Sequence, residues 1–371
     1  MIRPSSTALV SGEVYVPGLP AEHVVETYGV PAEDVAKLAS AENPHGASPR
    51  AMAAVEEARA RLDLYPDWTA GALRRAIGEK YGFDPDGVVC GSGETEVISL
   101  VIRAFAAPDE PVLMHAPCFP LYRIYANAEG RRPVYVPMGE DFDPQIELYL
   151  ETLRKTAPKI AFITNPHNPS GRLLPEEDVR KVLEAAPEHT LVVLDEAYVH
   201  YAEVTFGMEL LREYDNLIVL RTMSKAFGLA GLRVGFGISS NAGLIRPLRL
   251  LKPTWNLGQA QIAGGIAGIN DDEHVARAVR TVVEMREYVT KGVDALDGFR
   301  AVPGSRANFF LTEILDPALD STRVFKELLS RGVIVKDGSD IEGLGARYLR
   351  VDVNLRKHMD RFLWALGDIK A

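Results

Sequence analysis

Lys225 sits in the run Thr222-Met223-Ser224-Lys225-Ala226-Phe227-Gly228-Leu229-Ala230-Gly231-Leu232-Arg233, whose side chains are suited to an aldehyde that carries a phosphate. A lysine amine condenses with an aldehyde to a Schiff base. The hydroxyls of Thr222 and Ser224 and the planar guanidinium of Arg233 could hold a phosphate dianion beside it. Val88-Val89-Cys90-Gly91-Ser92-Gly93-Glu94-Thr95-Glu96 offers a second anion site: a short strand, a glycine turn, then the apolar helical run from Val97 through Phe105. Glycines let the backbone approach an anion and a helix start presents free N–H groups, so the amides of Gly93, Glu94 and Thr95 form a candidate phosphate cradle. No Gly-Lys-Ser/Thr follows, and the glycine spacing is not that of a dinucleotide fingerprint. Leu191-Val192-Val193-Leu194-Asp195 reads as a buried strand ending in a carboxylate, which needs a partner if enclosed. Leu349-Arg350-Val351-Asp352-Val353 alternates as a half-buried strand, and the arginine inside it needs an anion. Asn165-Pro166-His167-Asn168-Pro169-Ser170-Gly171 reads as a turn at the carboxyl end of the apolar run Ile160 to Thr164.

In this order the segments resemble those of the fold-type I pyridoxal-phosphate (PLP) aminotransferases, from about Val35 to Leu366, and S-K-A-F-G-L-A-G-L-R is most similar to the histidinol-phosphate aminotransferase branch. The resemblance implies PLP bound through Lys225, a pyridine nitrogen kept protonated by Asp195, and a phenolic oxygen bonded by Asn168 and Tyr198. Phe119, in Ala116-Pro117-Cys118-Phe119-Pro120, takes the place of the aromatic that stacks on the ring. Arg350 takes that of the substrate-carboxylate arginine. Tyr65 matches a tyrosine that reaches the phosphate held by the neighbouring subunit, which implies a homodimer with shared sites. Ser40 to Gly46, with Asn43, resembles the substrate-lid segment, and Ala307-Asn308-Phe309 the small-domain strand.

The departures from the family pattern fall on the substrate side. Ala41 stands where relatives usually carry Asn, Lys336 where Arg is usual, and the segments Pro253 to Gly258 and Val353 to Arg356 differ from their usual forms. Lysine cannot give the two-point phosphate contact of arginine. The implied reaction is transamination between an amino acid, or an amine resembling histidinol phosphate, and a 2-oxo acid. The same cofactor set also serves lyases, decarboxylases and cyclases, which stay open at this point. A sensor domain of a transcription regulator would need an attached helix-turn-helix, for which the residues before Ser40 leave no room.

These residues must be positioned by seven apolar runs: Val88–Cys90, Val112–His115, Pro133–Val136, Ile160–Thr164, Leu191–Leu194, Leu217–Leu220 and Val234–Ile238. Their alternation with helical stretches predicts an α/β fold with a mainly parallel seven-stranded sheet, whose carboxyl edge gathers the candidate residues. The expected organisation is an N-terminal segment 1–45 contributing to a small domain and lid, a large PLP domain 46–258, and a small α+β domain 259–371. That last region reads as one helical stretch from about Gln259 to Leu296 followed by a βαβ-like unit. The 371 residues, 47% hydrophobic, can bury a large core. A net charge of -10 disfavours a nucleic-acid surface. Only Cys90 and Cys118 occur, so no disulfide framework is expected, and the eight histidines show no metal-ligand spacing. No secretory core or membrane-length apolar run is present, and the expected setting is cytoplasmic.

Overall fold

The computed structural model describes residues 14–370. The strands in chain order are β1 (Ala36–Lys37), β2 (Val88–Ser92), β3 (Pro111–Ala116), β4 (Arg132–Pro137), β5 (Ile160–Thr164), β6 (Leu191–Asp195), β7 (Leu217–Thr222), β8 (Val234–Ile238), β9 (Phe299–Ala301), β10 (Phe309–Ile314), β11 (Val333–Ile334), β12 (Lys336–Asp337) and β13 (Tyr348–Asp352).

The seven apolar runs form one sheet in the order β2-β8-β7-β6-β5-β3-β4. The β5, β6, β7 and β8 strands are buried along their whole length, as strands covered by helices on both faces must be. At the edge, β4 carries Arg132 and Pro133, which blunt it against further pairing. Of the seven, β8 alone is reversed: it pairs antiparallel with both β2 and β7, whereas the remaining pairs are parallel.

The smaller region is built on the antiparallel sheet β12-β13-β10-β9 and the parallel pair β1-β11, covered by the helices Asp272–Asp294, Ser321–Ser330 and Arg356–Gly367. Its core of Val282, Val289, Phe310, Val324, Val351 and Phe362 is separate from those flanking the large sheet. Two expectations change here. The four-stranded sheet is antiparallel, so the region is not a βαβ unit. The helical stretch from Gln259 is broken after Ile269, because Asp271 caps a new helix by accepting the His274 amide at 3.4 Å and also takes the Ser48 hydroxyl at 2.6 Å. The first piece, Gln259–Ile269, lies against helix Pro49–Ala58, with Gly264 facing Val55 and Leu232, and so packs with the large sheet rather than the small one.

Candidate active site

Every strand of the large sheet except β8 runs the same way, so their carboxyl ends meet at one edge, and the reversed β8 begins there. Arg233, just before β8, is thereby set beside Ser224, just after β7. Its Nη1 donates to Ser224 Oγ at 3.3 Å and to the Ala230 carbonyl at 3.1 Å, and its Nη2 to Thr95 Oγ1 at 3.5 Å. The Thr222 hydroxyl donates to Ser224 Oγ at 3.0 Å and accepts the Ser224 amide at 3.1 Å. Facing this group is the start of helix Glu94–Phe105, whose first amides have no acceptor within the helix. Gly93, before it, has φ 80° and ψ 160°, and a Cβ there would lie 2.0 Å from Arg233 Nη2. A Cβ on Gly235 would lie 2.1 Å from the Glu94 nitrogen. Two glycines thus let helix start, guanidinium and hydroxyls converge, and this donor set fits a phosphate dianion.

About the ring end, Asp195 closes β6 and is buried. Its Oδ1 accepts the Ala197 amide at 3.0 Å, and its Oδ2 accepts the Tyr122 hydroxyl, which lies 2.9 Å from Thr164 Oγ1. The Glu94 carboxyl makes a side-chain hydrogen bond with Asp195; burial and the neighbouring Asp195 charge push Glu94 well above the usual carboxylate range. Asn168 donates to the Tyr198 hydroxyl at 3.3 Å and accepts from Arg350 Nη1 at 3.2 Å. His167 fixes that turn: burial holds its imidazole down at about 3, so it is neutral, with Nε2–H donating to the Pro117 carbonyl at 3.0 Å and Nδ1 paired with Ser170 Oγ at 2.8 Å. The Asn168 turn and the Phe119 segment are thereby tied together.

Between the two ends, Lys225 Nζ donates to the Ser40 carbonyl at 2.8 Å and lies 5.5 Å from the Tyr198 ring centroid. Burial, with help from the Arg350 charge, lowers this amine to about 8, against the pull of Asp352, Glu42 and Glu94. Arg350 Nη2 donates to the Ala39 carbonyl at 2.7 Å and lies 3.5 Å from Asp352 Oδ1, while its Nε is buried without a hydrogen-bond partner. Lys225, Asp195, Tyr198, Asn168, Arg233 and Arg350, with Glu94, Thr95, Phe119, Thr222 and Ser224, line one cavity of about 250 Å³. A nucleophilic amine, an anion cradle and a buried carboxylate at opposite ends, and an unpartnered guanidinium nitrogen fit an aldehyde cofactor with a phosphate, a basic ring nitrogen and an anionic substrate.

Comparison with known proteins agrees with that chemistry. The family model "Aminotransferase class I and II" matches residues 33–365. The chain belongs to this family. It is a PLP-dependent aminotransferase. A histidinol-phosphate aminotransferase of Anaeromyxobacter sp. is 40% identical over 359 residues, covering 96% of each chain. One from Geobacillus sp. is 36% identical over 356 residues, covering 95% of this chain and 94% of the relative. Among solved structures, histidinol-phosphate aminotransferase from Sinorhizobium meliloti in complex with pyridoxal-5'-phosphate superposes with TM-score 0.87 at 24% identity, covering 99% of this chain and 98% of that one. A Thermus thermophilus aspartate aminotransferase double mutant superposes with TM-score 0.82 at 22% identity, covering 98% of this chain and 100% of that one.

Not every residue expected at the aminotransferase site faces the cavity. The Gly93 amide donates to the Arg233 carbonyl at 3.1 Å, which leaves the amides of Glu94 and Thr95 as the cradle. Asn43 lines neither the main cavity nor the smaller one beside it: its Nδ2 donates to the Ala226 carbonyl at 2.8 Å and its Oδ1 accepts the His45 amide at 2.8 Å, which makes it a backbone tether. Tyr65 is 78% exposed and stacks on Trp255 with ring centroids 4.4 Å apart, away from the site of its own chain. Lys336 lines the adjoining cavity of about 50 Å³ with Arg350 and Tyr15, its ammonium 3.2 Å from Asp340 and 3.3 Å from the Val16 carbonyl.

Four residues of the aminotransferase site had no role assigned from sequence: Tyr122 on Asp195, the Ser40 carbonyl on Lys225, Asp352 beside Arg350, and Tyr15 against Phe119 at 6.2 Å between centroids. A signal existed for two. Asp352 is two residues from Arg350 on an alternating strand and must share its face. Tyr122 follows Phe119 by three in the helix opened by Pro120, the spacing that stacks side chains on one side.

Proposed function

We propose that this aminotransferase moves the amino group between histidinol phosphate and a 2-oxo acid, with Arg350 receiving the anionic group of each substrate in turn. The observation that carries the proposal is the buried, unpartnered Nε of Arg350 in the wall of the cavity that holds Lys225. Glutamate presents a carboxylate on the carbon bearing the amine, and histidinol phosphate presents a phosphate ester one carbon away. A planar guanidinium with a free edge accepts either. Lys336 adds a point charge at the mouth, as an ammonium rather than a fork. The names carried by relatives such as the 40%-identical Anaeromyxobacter protein support the same substrate.

PLP, when bound, supplies the aldehyde that takes up the amino group and a ring that accepts electrons. The chain's residues do the rest. Thr222, Ser224, Arg233 and the amides of Glu94 and Thr95 would hold the phosphate; Asn168 and Tyr198 would hold the phenolic oxygen, and Phe119 would cover one ring face. Asp195 would accept a hydrogen bond from the protonated ring nitrogen. Lys225 Nζ, lowered to about 8, is the base that takes the proton from the substrate α-carbon. Arg350 fixes the substrate so that this C–H bond lies toward Lys225.

The assembly we propose is a homodimer in which Tyr65 reaches the phosphate site of the partner. The exposed group of Leu62, Leu64, Tyr65, Trp68 and Trp255 supports it, since such apolar area is unusual on a monomer. Among the described residues no helix is long and apolar enough to cross a membrane. Cys90, a buried free thiol, suits a reducing cytoplasm. The test is steady-state turnover of histidinol phosphate with 2-oxoglutarate, followed as glutamate. Turnover is expected, and is expected to collapse in Arg350→Ala. Absence of histidinol phosphate turnover, with glutamate still donating its amino group to the cofactor, removes this substrate and leaves the transaminase.

A further inference from the structure

Glu94 contributes more to the site than its backbone. The residue is 7% exposed and lies in the wall of the main cavity, with Oε1 buried and free of any hydrogen-bond partner and the side chain bonded to Asp195. Two carboxyl groups in contact inside an apolar wall cannot both be ionised, so the pair holds one proton. Its location follows from the other donors. Asp195 already accepts from the Tyr122 hydroxyl and the Ala197 amide, which favour its charged form, and Glu94 has no such donor. The groups facing Glu94 are Asp195 from β6, Tyr198 from the segment just after it, Tyr122 from the helix Pro120–Ala128, and Lys225 and Arg233 from the segment between β7 and β8. The two cations alone would favour ionisation, but burial and the Asp195 charge outweigh them.

The geometry points to Glu94 as a neutral carboxylic acid that donates its proton to Asp195 and acts as a positioning residue for the ring-nitrogen end of the PLP site. Two consequences follow for the chain. A third donor on Asp195 favours its charged form and fixes the carboxylate in place for the ring N–H. A neutral side chain also spares the cradle formed by its own amide from a negative charge beside the phosphate. The inference rests on PLP binding by this family member and is independent of the proposed substrate.

The test is isotope-edited infrared spectroscopy of the full-length, PLP-loaded protein carrying ¹³C-carboxyl glutamate. Among the described residues Glu94 and Glu196 are the buried glutamates, and Glu196 is paired with Arg221. A neutral carboxylic-acid C=O band from labelled glutamate is expected at neutral pH, absent from Glu94→Gln. Titration of PLP into the stripped protein adds a rescue: Glu94→Gln, which keeps an uncharged donor, should bind about tenfold more tightly than Glu94→Ala, the loss expected for one hydrogen bond to a charged group. No such band at neutral pH, or a band that survives in Glu94→Gln, overturns the proposal. Should Glu94→Gln fail to fold, absence of the band from the unsubstituted protein still overturns it, and its presence with loss in folded Glu94→Ala supports it.

Discussion

Gly93→Ala separates the two things the phosphate end of the site requires. At φ 80° and ψ 160°, Gly93 occupies a region that residues with a Cβ scarcely enter, and forcing alanine into it costs about 1–3 kcal/mol of folding stability. The new Cβ would stand 2.0 Å from Arg233 Nη2 and 2.7 Å from its Cζ, so the guanidinium must swing out. That abandons its bonds to Ser224 and Thr95, and with them its place beside the phosphate. A hydrogen bond to a charged group contributes about 1.5–3 kcal/mol, so PLP affinity should fall by roughly tenfold to a hundredfold. The strain is read by thermal unfolding of the stripped protein, and the lost anchor by absorbance titration with PLP. Gly231→Ala in the same loop is the control, since a Cβ there meets nothing within 4 Å, and neither quantity should move. If Gly93→Ala folds and binds PLP as tightly as the unsubstituted protein, Arg233 does not anchor the phosphate and the reading of this end is wrong.

The amine of Lys225, lowered to about 8 by burial, reacts only when deprotonated, so Schiff-base formation between stripped protein and unphosphorylated pyridoxal should rise with pH through about 8; a midpoint near that of an ordinary lysine refutes the assignment. Asp352→Asn removes an anion that raises this amine, so the same midpoint should move to lower pH, and an upward or absent shift would show that Asp352 does not face Lys225. Arg221→Met leaves Glu196, buried and bonded to Arg221 at 2.7 Å, without its partner; urea denaturation should show a loss of about 3–5 kcal/mol, most of it regained in the double variant with Glu196→Gln.

The large sheet was legible because its strands are continuous apolar runs bounded by turns, a pattern with one reading once helical stretches alternate with it. All seven lie where those runs predicted, extended by a residue or two at the ends of β2, β3, β4, β6 and β7. The cofactor side was legible because its residues sit at fixed steps from those strand ends: Asp195 closes β6 and Lys225 follows β7 by three residues. What sequence could not supply was pairing at a distance. The reversal of β8 is invisible in five apolar residues, yet it brings Arg233 to the active edge. The break after Ile269 depends on Asp271 acting as a cap, which a continuous helical period conceals. The partners of Asn43, the Ala226 carbonyl and the His45 amide, were hidden for a related reason, since a polar residue in such a segment reads as ligand-facing until they are known.

The substrate-side departures also cease to be independent once Ala41 is placed. Its φ of 51° lies in the region an asparagine tolerates and an alanine resists, at about 1–2 kcal/mol. Both of its backbone groups are held: the N–H by Asp352 Oδ2, and the carbonyl by Asn308 Nδ2 at 3.0 Å. Two hydrogen bonds of about 0.5–1.5 kcal/mol each are enough to offset that strain. The carboxylate that fixes the Ala41 backbone also lies 3.5 Å from Arg350 and raises the Lys225 amine. Alanine at 41 and aspartate at 352 therefore act as one device. The segment around Ala41 is held from the strand that carries Arg350, and a substitution at 352 must disturb that segment, Arg350 and Lys225 together, where one at Asn308 should disturb the segment alone.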